Sequence, residues 1–131
     1  MRNNCSNNRK NAIYLRFKNE FDKNERMDYA LSSISYYLKD YDLNNLEYYI
    51  DICPNGIDSN REEYKRLIND LQHDKINFIF TPSISTLSRN YLDILYINNL
   101  LLEKNSAVIS RKEKLPLEYL NNIQGLDIWL I

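Results

Sequence analysis

Residues 12–17 read Ala12-Ile13-Tyr14-Leu15-Arg16-Phe17, a short apolar run that predicts a strand buried on both of its faces. Comparable runs over 46–52, 76–81 and 107–109 predict three further strands, and a helical pattern lies between each successive pair. An alternation of strands and helices predicts a parallel sheet with right-handed crossovers. The fold class is therefore α/β, with helices on both faces of the sheet in three layers.

Helices are predicted in the connections between these strands. A polar loop over 19–25 precedes the first, and a second begins near Asn60, which with Glu63 resembles a capping box. The segment 90–104 is apolar over more than half of its circumference, so we expect it to pack on two sides. A last short helix is predicted over 115–123, where Pro suits the first turn. The first helix carries its apolar residues three and four positions apart: Met27, Ala30, Leu31, Ile34, Tyr37, Leu38 and Tyr41.

Composition excludes several classes of protein. With 131 residues, 44% hydrophobic and 27% charged, the chain has the size and composition of one soluble domain, predicted over 12–131 after a disordered polar tail at 1–11. No run approaches the ~18 apolar residues of a membrane helix, and there is no signal-peptide core. Cys5 and Cys53 form no disulfide or zinc pattern, which favours a reducing cytoplasm. We expect no metal and, without a glycine-rich phosphate loop, no nucleotide cofactor.

Three arginines lie where the predicted strands end. Arg16 closes the first strand, while Arg61 and Arg89 precede the second and third helices. Loops at the carboxyl ends of parallel strands share one edge of the sheet, here 17–26, 52–60 and 81–90. Three guanidiniums there would bind phosphate, because each offers planar donors matched to its oxygens. The alternative is that each pairs with a local carboxylate: Asp51, Asp58 or Asp93.

The single histidine carries no catalytic prediction. His73 ends a predicted helix, where an imidazole ordinarily interacts with the helix C-terminus. The sequence shows no nucleophile elbow around which a Ser-His-Asp triad could form.

The residues around these arginines resemble the catalytic domain of serine site-specific recombinases, the resolvase–invertase family. The family pattern is Y-x-R-V-S near the start, Y-V-D followed by G-x-S-x-x-R, and a strand leading into L-D-R-L-S-R. This chain has Ile13-Tyr14-Leu15-Arg16, then Tyr49-Ile50-Asp51 with Arg61 ten residues on, then a strand leading into Leu87-Ser88-Arg89. The similarity covers 12–110 in order and implies a resolvase-like α/β domain.

The departures from this pattern fall on the catalytic positions. Where the resemblance implies the Ser that attacks the DNA phosphodiester, this chain has Lys18, which in its protonated form is no nucleophile. The Asp and first Arg of L-D-R-L-S-R are Ser85 and Thr86, and an early helical Gln is Ala30. The family positions that keep their residue types are Arg16, Asp51, Arg61 and Arg89.

The favoured hypothesis is a stand-alone, catalytically inactive recombinase-like domain associated with a mobile element. It would act by protein contact, as a homodimer or with an active recombinase. One alternative is an active strand-transfer enzyme whose nucleophile has moved to Ser83, Ser85 or Ser88; another is a small anion- or nucleotide-binding module. We expect no DNA-binding domain and weak DNA affinity, because the net charge is −1. The apolar tail 125–131, which includes Trp129, would cap the core or form a contact patch.

Overall fold

The computed structural model describes residues 9–39, 41, 45–53, 61–111 and 113–117. In chain order, its elements are β1 (Lys10–Phe17), α1 (Glu20–Leu38), β2 (Leu46–Ile52), α2 (Glu62–Gln72), β3 (Ile76–Phe80), α3 (Ile84–Leu87), α4 (Tyr91–Lys104), β4 (Ala107–Ile109) and β5 (Lys114–Leu115). Within these residues, no helix is long and apolar enough to cross a membrane.

The strands form one five-stranded sheet in the order β2-β1-β3-β4-β5. The first four strands are mutually parallel, and β5 pairs with β4 in the antiparallel direction. The four predicted strands and the parallel sheet are confirmed. The register of β1 on β2 sets Tyr14 beside Tyr49 and Arg16 beside Asp51. This register brings two of the predicted site residues to adjacent positions near the carboxyl edge.

Alternation along β1 divides the core into two layers, one on each side of the sheet. Ala12 and Tyr14 belong to the cluster that includes Leu67 of α2 and Leu101 of α4. Ile13, Leu15 and Phe17 belong to the opposite cluster, which includes Ile34 of α1. Since successive strand residues face opposite sides, Arg16 lies on the Tyr14 face, toward α2 and α4. The predicted three-layer α/β architecture is confirmed.

The loop predicted over 19–25 is wrong, because α1 begins at Glu20. Asn19 caps the helix with its side-chain oxygen, which accepts a hydrogen bond from the Asp22 N–H at 2.7 Å. The carboxylate of Asp22 pairs with Arg26 one turn later at 3.0 Å. The first turns are held by a cap and an ion pair and expose the Phe21 side chain, so they show no apolar periodicity to detect. At its other end α1 stops at Leu38, although the ring of Tyr41 still packs on Phe80.

The polar tail predicted over 1–11 is too long at its C-terminal end. Lys10 and Asn11 belong to β1, and Arg9 is 9% exposed. The Arg9 guanidinium donates to the carbonyl of Lys104 at 2.7 Å and to the Ser106 hydroxyl at 3.2 Å. These contacts reach the end of α4 and the residues between α4 and β4, far away in the sequence, so no local sequence pattern predicts them. Residues 1–8 lie outside the described residues.

The helix predicted over 115–123 is wrong where the structure describes it. Leu115 is 1% exposed and pairs with Val108 of β4. The side-chain amide of Asn98 on α4 then binds the backbone of Leu117 twice, accepting from its N–H at 2.6 Å and donating to its carbonyl at 2.8 Å. Tertiary contacts hold this segment extended despite the favourable Pro116. Residues 118–131, including the apolar tail, lie outside the described residues.

Candidate functional site

A pocket of about 350 Å³ opens at the carboxyl edge of the sheet, where β1, β2 and β3 end. We call it the arginine pocket. Its basic side chains are Arg16, Lys18 and Arg89. The Arg16 side chain is half-buried at the end of β1, while Lys18 and Arg89 are exposed at the rim. The remaining lining residues are Phe17, Asp22, Cys53, Ser83, Ser85 and Thr86.

Arg61 lies at the same edge but is engaged by the protein. Its guanidinium stacks 3.9 Å from the Tyr64 ring centroid and donates to the Tyr14 hydroxyl oxygen at 2.9 Å. It also donates to the backbone carbonyls of Thr86 and Leu87, at the end of α3. Arg61 therefore connects the end of α3 to Tyr14 of β1 and Tyr64 of α2. It is not one of the residues that line the arginine pocket.

The three arginines lie at one edge of the sheet, but two of them line the pocket and the third binds protein groups beside it. Arg16 and Arg61 each donate to the Thr86 carbonyl oxygen at 3.4 Å. Arg16 and Arg89 line the same pocket. Two of the three phosphate-binding candidates thus face a common cavity, and the third supports the backbone beside it.

Asp51, a buried residue of β2, caps the N-terminus of α2 with its side chain. Its two carboxylate oxygens accept from the backbone N–H groups of Glu63 and Tyr64, each at 2.9 Å. This arrangement satisfies donors that the first turn of a helix leaves unpaired, and it places a negative charge at the positive end of the helix. The residue at the N-cap position, Arg61, makes no side-chain cap. The predicted cap, Asn60, lies outside the described residues.

Tyr14 connects Asp51 to Arg61. Its hydroxyl donates to the Asp51 carboxylate at 2.6 Å and accepts from the Arg61 guanidinium. The pairing expected between Asp51 and an arginine is therefore indirect at Arg61, because a buried hydroxyl stands between them. Burial, followed by the hydrogen bond to Asp51, raises the pKa of Tyr14, so this hydroxyl stays protonated. Tyr14 is not among the predicted site residues, although its position two residues before Arg16 puts both on one face of β1.

Three hydroxyl groups form the α3 side of the arginine pocket. The Ser83 oxygen lies 2.9 Å from that of Ser85 and 3.1 Å from that of Thr86. The predicted loop 81–90 contains the single helical turn of α3, which brings these side chains together. Ser88 has a different role, because its hydroxyl donates to Asp93 in the first turn of α4 at 3.0 Å.

Lys18 stands at the pocket rim directly after β1. Its backbone N–H donates to the Asp22 carboxylate at 2.9 Å, which orders the turn into α1. Its ammonium group offers positive charge and three donors, whereas a serine there would offer a nucleophilic oxygen. The pocket is therefore suited to binding an anion and has no hydroxyl at position 18.

His73 is not one of the residues that line the arginine pocket, whereas Cys53 is. The His73 ring donates from Nδ1 to the Asn69 carbonyl oxygen at 2.7 Å, at the C-terminus of α2 as expected. The Cys53 side chain is 3% exposed in the pocket wall. Among the residues that the structure describes, no group of three or more His, Cys, Asp or Glu side chains is placed to hold a metal ion.

Comparison with known proteins gives one family. The family model described as "Resolvase, N terminal domain" matches residues 11–125. No curated protein sequence matches the chain.

Solved structures share the fold at low sequence identity. The N-terminal catalytic domain of TP901-1 integrase is 20% identical with a TM-score of 0.64, and the match covers 93% of this chain and 90% of that one. A resolvase family site-specific recombinase from Streptococcus pneumoniae is 15% identical with a TM-score of 0.66, covering 93% and 83%. The C-terminal catalytic domain of ISC1926 TnpA, an IS607-like serine recombinase, is 16% identical with a TM-score of 0.63, covering 89% and 77%.

Proposed function

This chain belongs to the resolvase N-terminal domain family, and from that membership we propose that it is a catalytically inactive member that acts through protein contact in or around DNA recombination. The observation that carries the proposal is the position of Lys18. It lies at the rim of the arginine pocket, two residues after Arg16, where the family pattern has the attacking serine. A protonated amine cannot form a phosphoserine link to DNA.

The losses at α3 support the same proposal. Phosphoryl transfer depends on dense positive charge around the transferring group and on a nucleophile in line with the leaving oxygen. Thr86 stands where the family pattern has an arginine, and Ser85 stands where it has an aspartate. With Arg61 committed to the carbonyls of Thr86 and Leu87, two guanidiniums line the pocket, those of Arg16 and Arg89.

The competing hypothesis moves the nucleophile to the hydroxyl groups of α3. Ser83 and Ser85 do line the pocket, but their oxygens are hydrogen-bonded to each other. Activation of a serine needs an adjacent base, and the only carboxylate lining the pocket among the described residues, Asp22, is paired with Arg26. We therefore do not propose a relocated nucleophile, and the trapping experiment below would detect one.

The test is covalent trapping on DNA. We expect no denaturation-resistant adduct when the chain is incubated with supercoiled or suicide substrates, under conditions in which an active serine recombinase gives one. Lys18→Ser alone should not produce an adduct, because Ser85 and Thr86 remain. An adduct mapped to any serine of the unsubstituted chain would overturn the proposal.

Weak DNA affinity belongs to the same proposal. The net charge of −1 provides little attraction to the phosphate backbone. We expect a Kd of roughly 10⁻⁴ M or weaker at physiological salt, in the range of non-specific binding. A sequence-specific gel shift at submicromolar protein would contradict it.

Protein contact is the remaining route to a role in recombination. We propose a second copy of this chain or an active recombinase as the partner, and the exposed apolar face of α4 as the surface. Leu92 and Tyr96 on this face are 60% and 48% exposed, although the opposite face of the helix is part of the core. An exposed apolar patch of this kind is typical of an interaction site.

A further inference from the structure

Three cationic side chains are among the described residues that line the arginine pocket. We propose that it binds a terminal phosphate monoester in preference to an internal phosphodiester. This inference rests on the proposed function, in which the pocket has lost phosphoryl transfer and keeps only the capacity to bind. A monoester carries a charge of about −1.5 to −2 at neutral pH with three terminal oxygens, whereas a diester has a single charge and two such oxygens.

The charge balance favours the dianion. Among the residues that the structure describes, Arg16, Lys18 and Arg89 contribute three positive charges to the lining, and Asp22 contributes one negative charge. That carboxylate already accepts from the Lys18 backbone N–H at 2.9 Å and pairs with Arg26 at 3.0 Å. Arg26 therefore offsets the charge of Asp22, and a doubly charged ligand gains more than a singly charged one from the cations that line the pocket.

Lys18 is the residue that distinguishes this pocket from the family pattern. A serine at this position would add no charge, whereas the ammonium group adds one and can donate to a third terminal oxygen. The guanidiniums of Arg16 and Arg89 suit the other two oxygens, since their planar forks match phosphate geometry. The substitution that removes the nucleophile therefore also raises the charge that the pocket can neutralise.

The hydroxyl cluster supplies a further donor. Ser83, Ser85 and Thr86 together have three hydroxyl protons, and two hydrogen bonds join their oxygens. At least one proton is consequently left over to donate outside the cluster, and the cluster lines the pocket. A volume of about 350 Å³ accommodates a phosphate group with the first atoms of its ester substituent.

The experiment compares methyl phosphate with dimethyl phosphate by isothermal titration calorimetry on the full chain at pH 8. The two probes differ by one methyl group and one charge. We expect methyl phosphate to bind about tenfold or more tightly, the ratio that one charge-assisted hydrogen bond provides. Equal affinity for the two probes, or no binding of either, would overturn the inference.

Acid provides an independent check on the charge state of the ligand. A monoester with a second pKa near 6 is about one-tenth dianion at pH 5, so its affinity should fall about tenfold from pH 8 to pH 5. Sulfate stays a dianion throughout and should bind equally at both values. Among the described residues, the charged and titratable groups that line the pocket are Arg16, Lys18, Asp22, Cys53 and Arg89, and the chain's one histidine is not among them. A parallel loss of sulfate affinity would mean that the protein titrates, against the inference.

Paired variants locate the site. Arg89→Gln removes an exposed guanidinium from the rim and should lower the affinity for methyl phosphate about tenfold or more. Lys65→Gln removes an exposed cation of α2 that does not line the pocket and should leave it unchanged. Equal effects of both substitutions would indicate non-specific attraction and would contradict the inference.

Two sources of a phosphate monoester, a DNA end and a small metabolite, are distinguished by the length of the ligand. A 5′-phosphorylated single strand of twelve nucleotides that binds more tightly than methyl phosphate, while its 5′-hydroxyl counterpart does not bind, identifies a DNA end. Equal affinity of the phosphorylated strand and methyl phosphate identifies a small metabolite-like ligand. Failure of the inference is separate from failure of the proposed function, since loss of monoester preference leaves the adduct experiment unaffected.

Discussion

At the scale of single residues, the Tyr14 hydroxyl links β1, which carries Arg16, to Arg61, the N-cap residue of α2. It is fully buried and makes a 2.6 Å hydrogen bond to Asp51 while accepting from Arg61. Removing the hydroxyl leaves a buried carboxylate with one donor fewer and a guanidinium with one acceptor fewer. The first consequence acts on α2, which Asp51 caps, and the second acts on α3, whose carbonyls Arg61 binds.

Tyr14→Phe should therefore lower the free energy of unfolding by about 1–3 kcal/mol, the cost of leaving buried partners unsatisfied. The measurement is urea denaturation at neutral pH. Tyr29→Phe is the matched control, since that side chain is 74% exposed and should change stability by less than about 0.5 kcal/mol. Equal stability of the Tyr14 variant and the unsubstituted chain would mean that water or a neighbouring group replaces the hydroxyl.

The candidate site could be predicted from sequence as far as position along the strands determines it. Arg16 lies near the end of β1 and Arg89 follows β3, so the shared edge of a parallel sheet brings them to one pocket. The commitment of Arg61 to backbone carbonyls could not be predicted, because its acceptors belong to a one-turn helix that has no sequence period. The role of Tyr14 depends in the same way on a hydrogen bond between residues 37 positions apart.

At the scale of elements, an ionic network binds β1, β2 and α2 together at the end of the sheet opposite the arginine pocket. Lys10 pairs with Glu47 at 2.6 Å and with Asp70 at 3.1 Å, while Arg66 also pairs with Glu47. The Tyr49 hydroxyl donates to Asp70 at 2.6 Å. Lys10 and Arg66 lower the pKa of Glu47; at Asp70, burial raises the pKa, but hydrogen bonds from Tyr49 and Lys10 outweigh it and the pKa is lowered.

This network predicts a loss of stability in acid. A carboxyl whose pKa is lower in the folded state than in the unfolded state stabilises the fold above its unfolded pKa, near 4. That stabilisation disappears as the pH falls through the folded pKa. Asp70→Asn should therefore destabilise the chain by about 1–3 kcal/mol at pH 7 and by much less at pH 3. Urea denaturation at both values measures the difference.

The control for this effect is Asp28→Asn, which changes an exposed carboxylate of α1. Its effect on stability should be small at both pH values. A loss for Asp70→Asn that is the same at pH 3 and pH 7 would show that Asp70 contributes through the shape of its hydrogen bonds and not through its charge.

Elements with an apolar period could be predicted, and elements held by polar contacts could not. The strand over 46–52 and the helix from Tyr91 have their expected limits to within a residue, because buried side chains set their patterns. The first turns of α1 depend on the Asn19 cap and the Asp22–Arg26 pair, which leave no apolar trace. β5 exists because Leu115 completes the sheet beside Val108, a long-range contact that outweighs the local preference for a helix.

At the scale of the whole molecule, α4 exposes apolar side chains on one face although its other face lies in the core. Ile97 and Leu101 are fully buried, whereas Leu92, Tyr96 and Leu102 are 60%, 48% and 39% exposed. Two copies of the chain can meet through such a face across a two-fold axis, because each copy then supplies the same surface to the other. The net charge of −1 adds little repulsion between copies.

We therefore expect reversible self-association through α4, measured by sedimentation equilibrium. The apparent mass should rise above the 15.7 kDa of one chain as the concentration increases toward roughly 100 µM, the range of weak contacts with a small buried area. Leu92→Glu should hold the chain at the monomer mass, because a carboxylate at the centre of the contact would be desolvated without a partner. Tyr36→Glu, on the exposed face of α1 at 75% exposure, should associate like the unsubstituted chain. A monomer at every concentration would exclude the second copy and leave an active recombinase as the partner that covers α4. If Tyr36→Glu instead holds the chain at the monomer mass, the contact lies on α1, at the other face of the sheet.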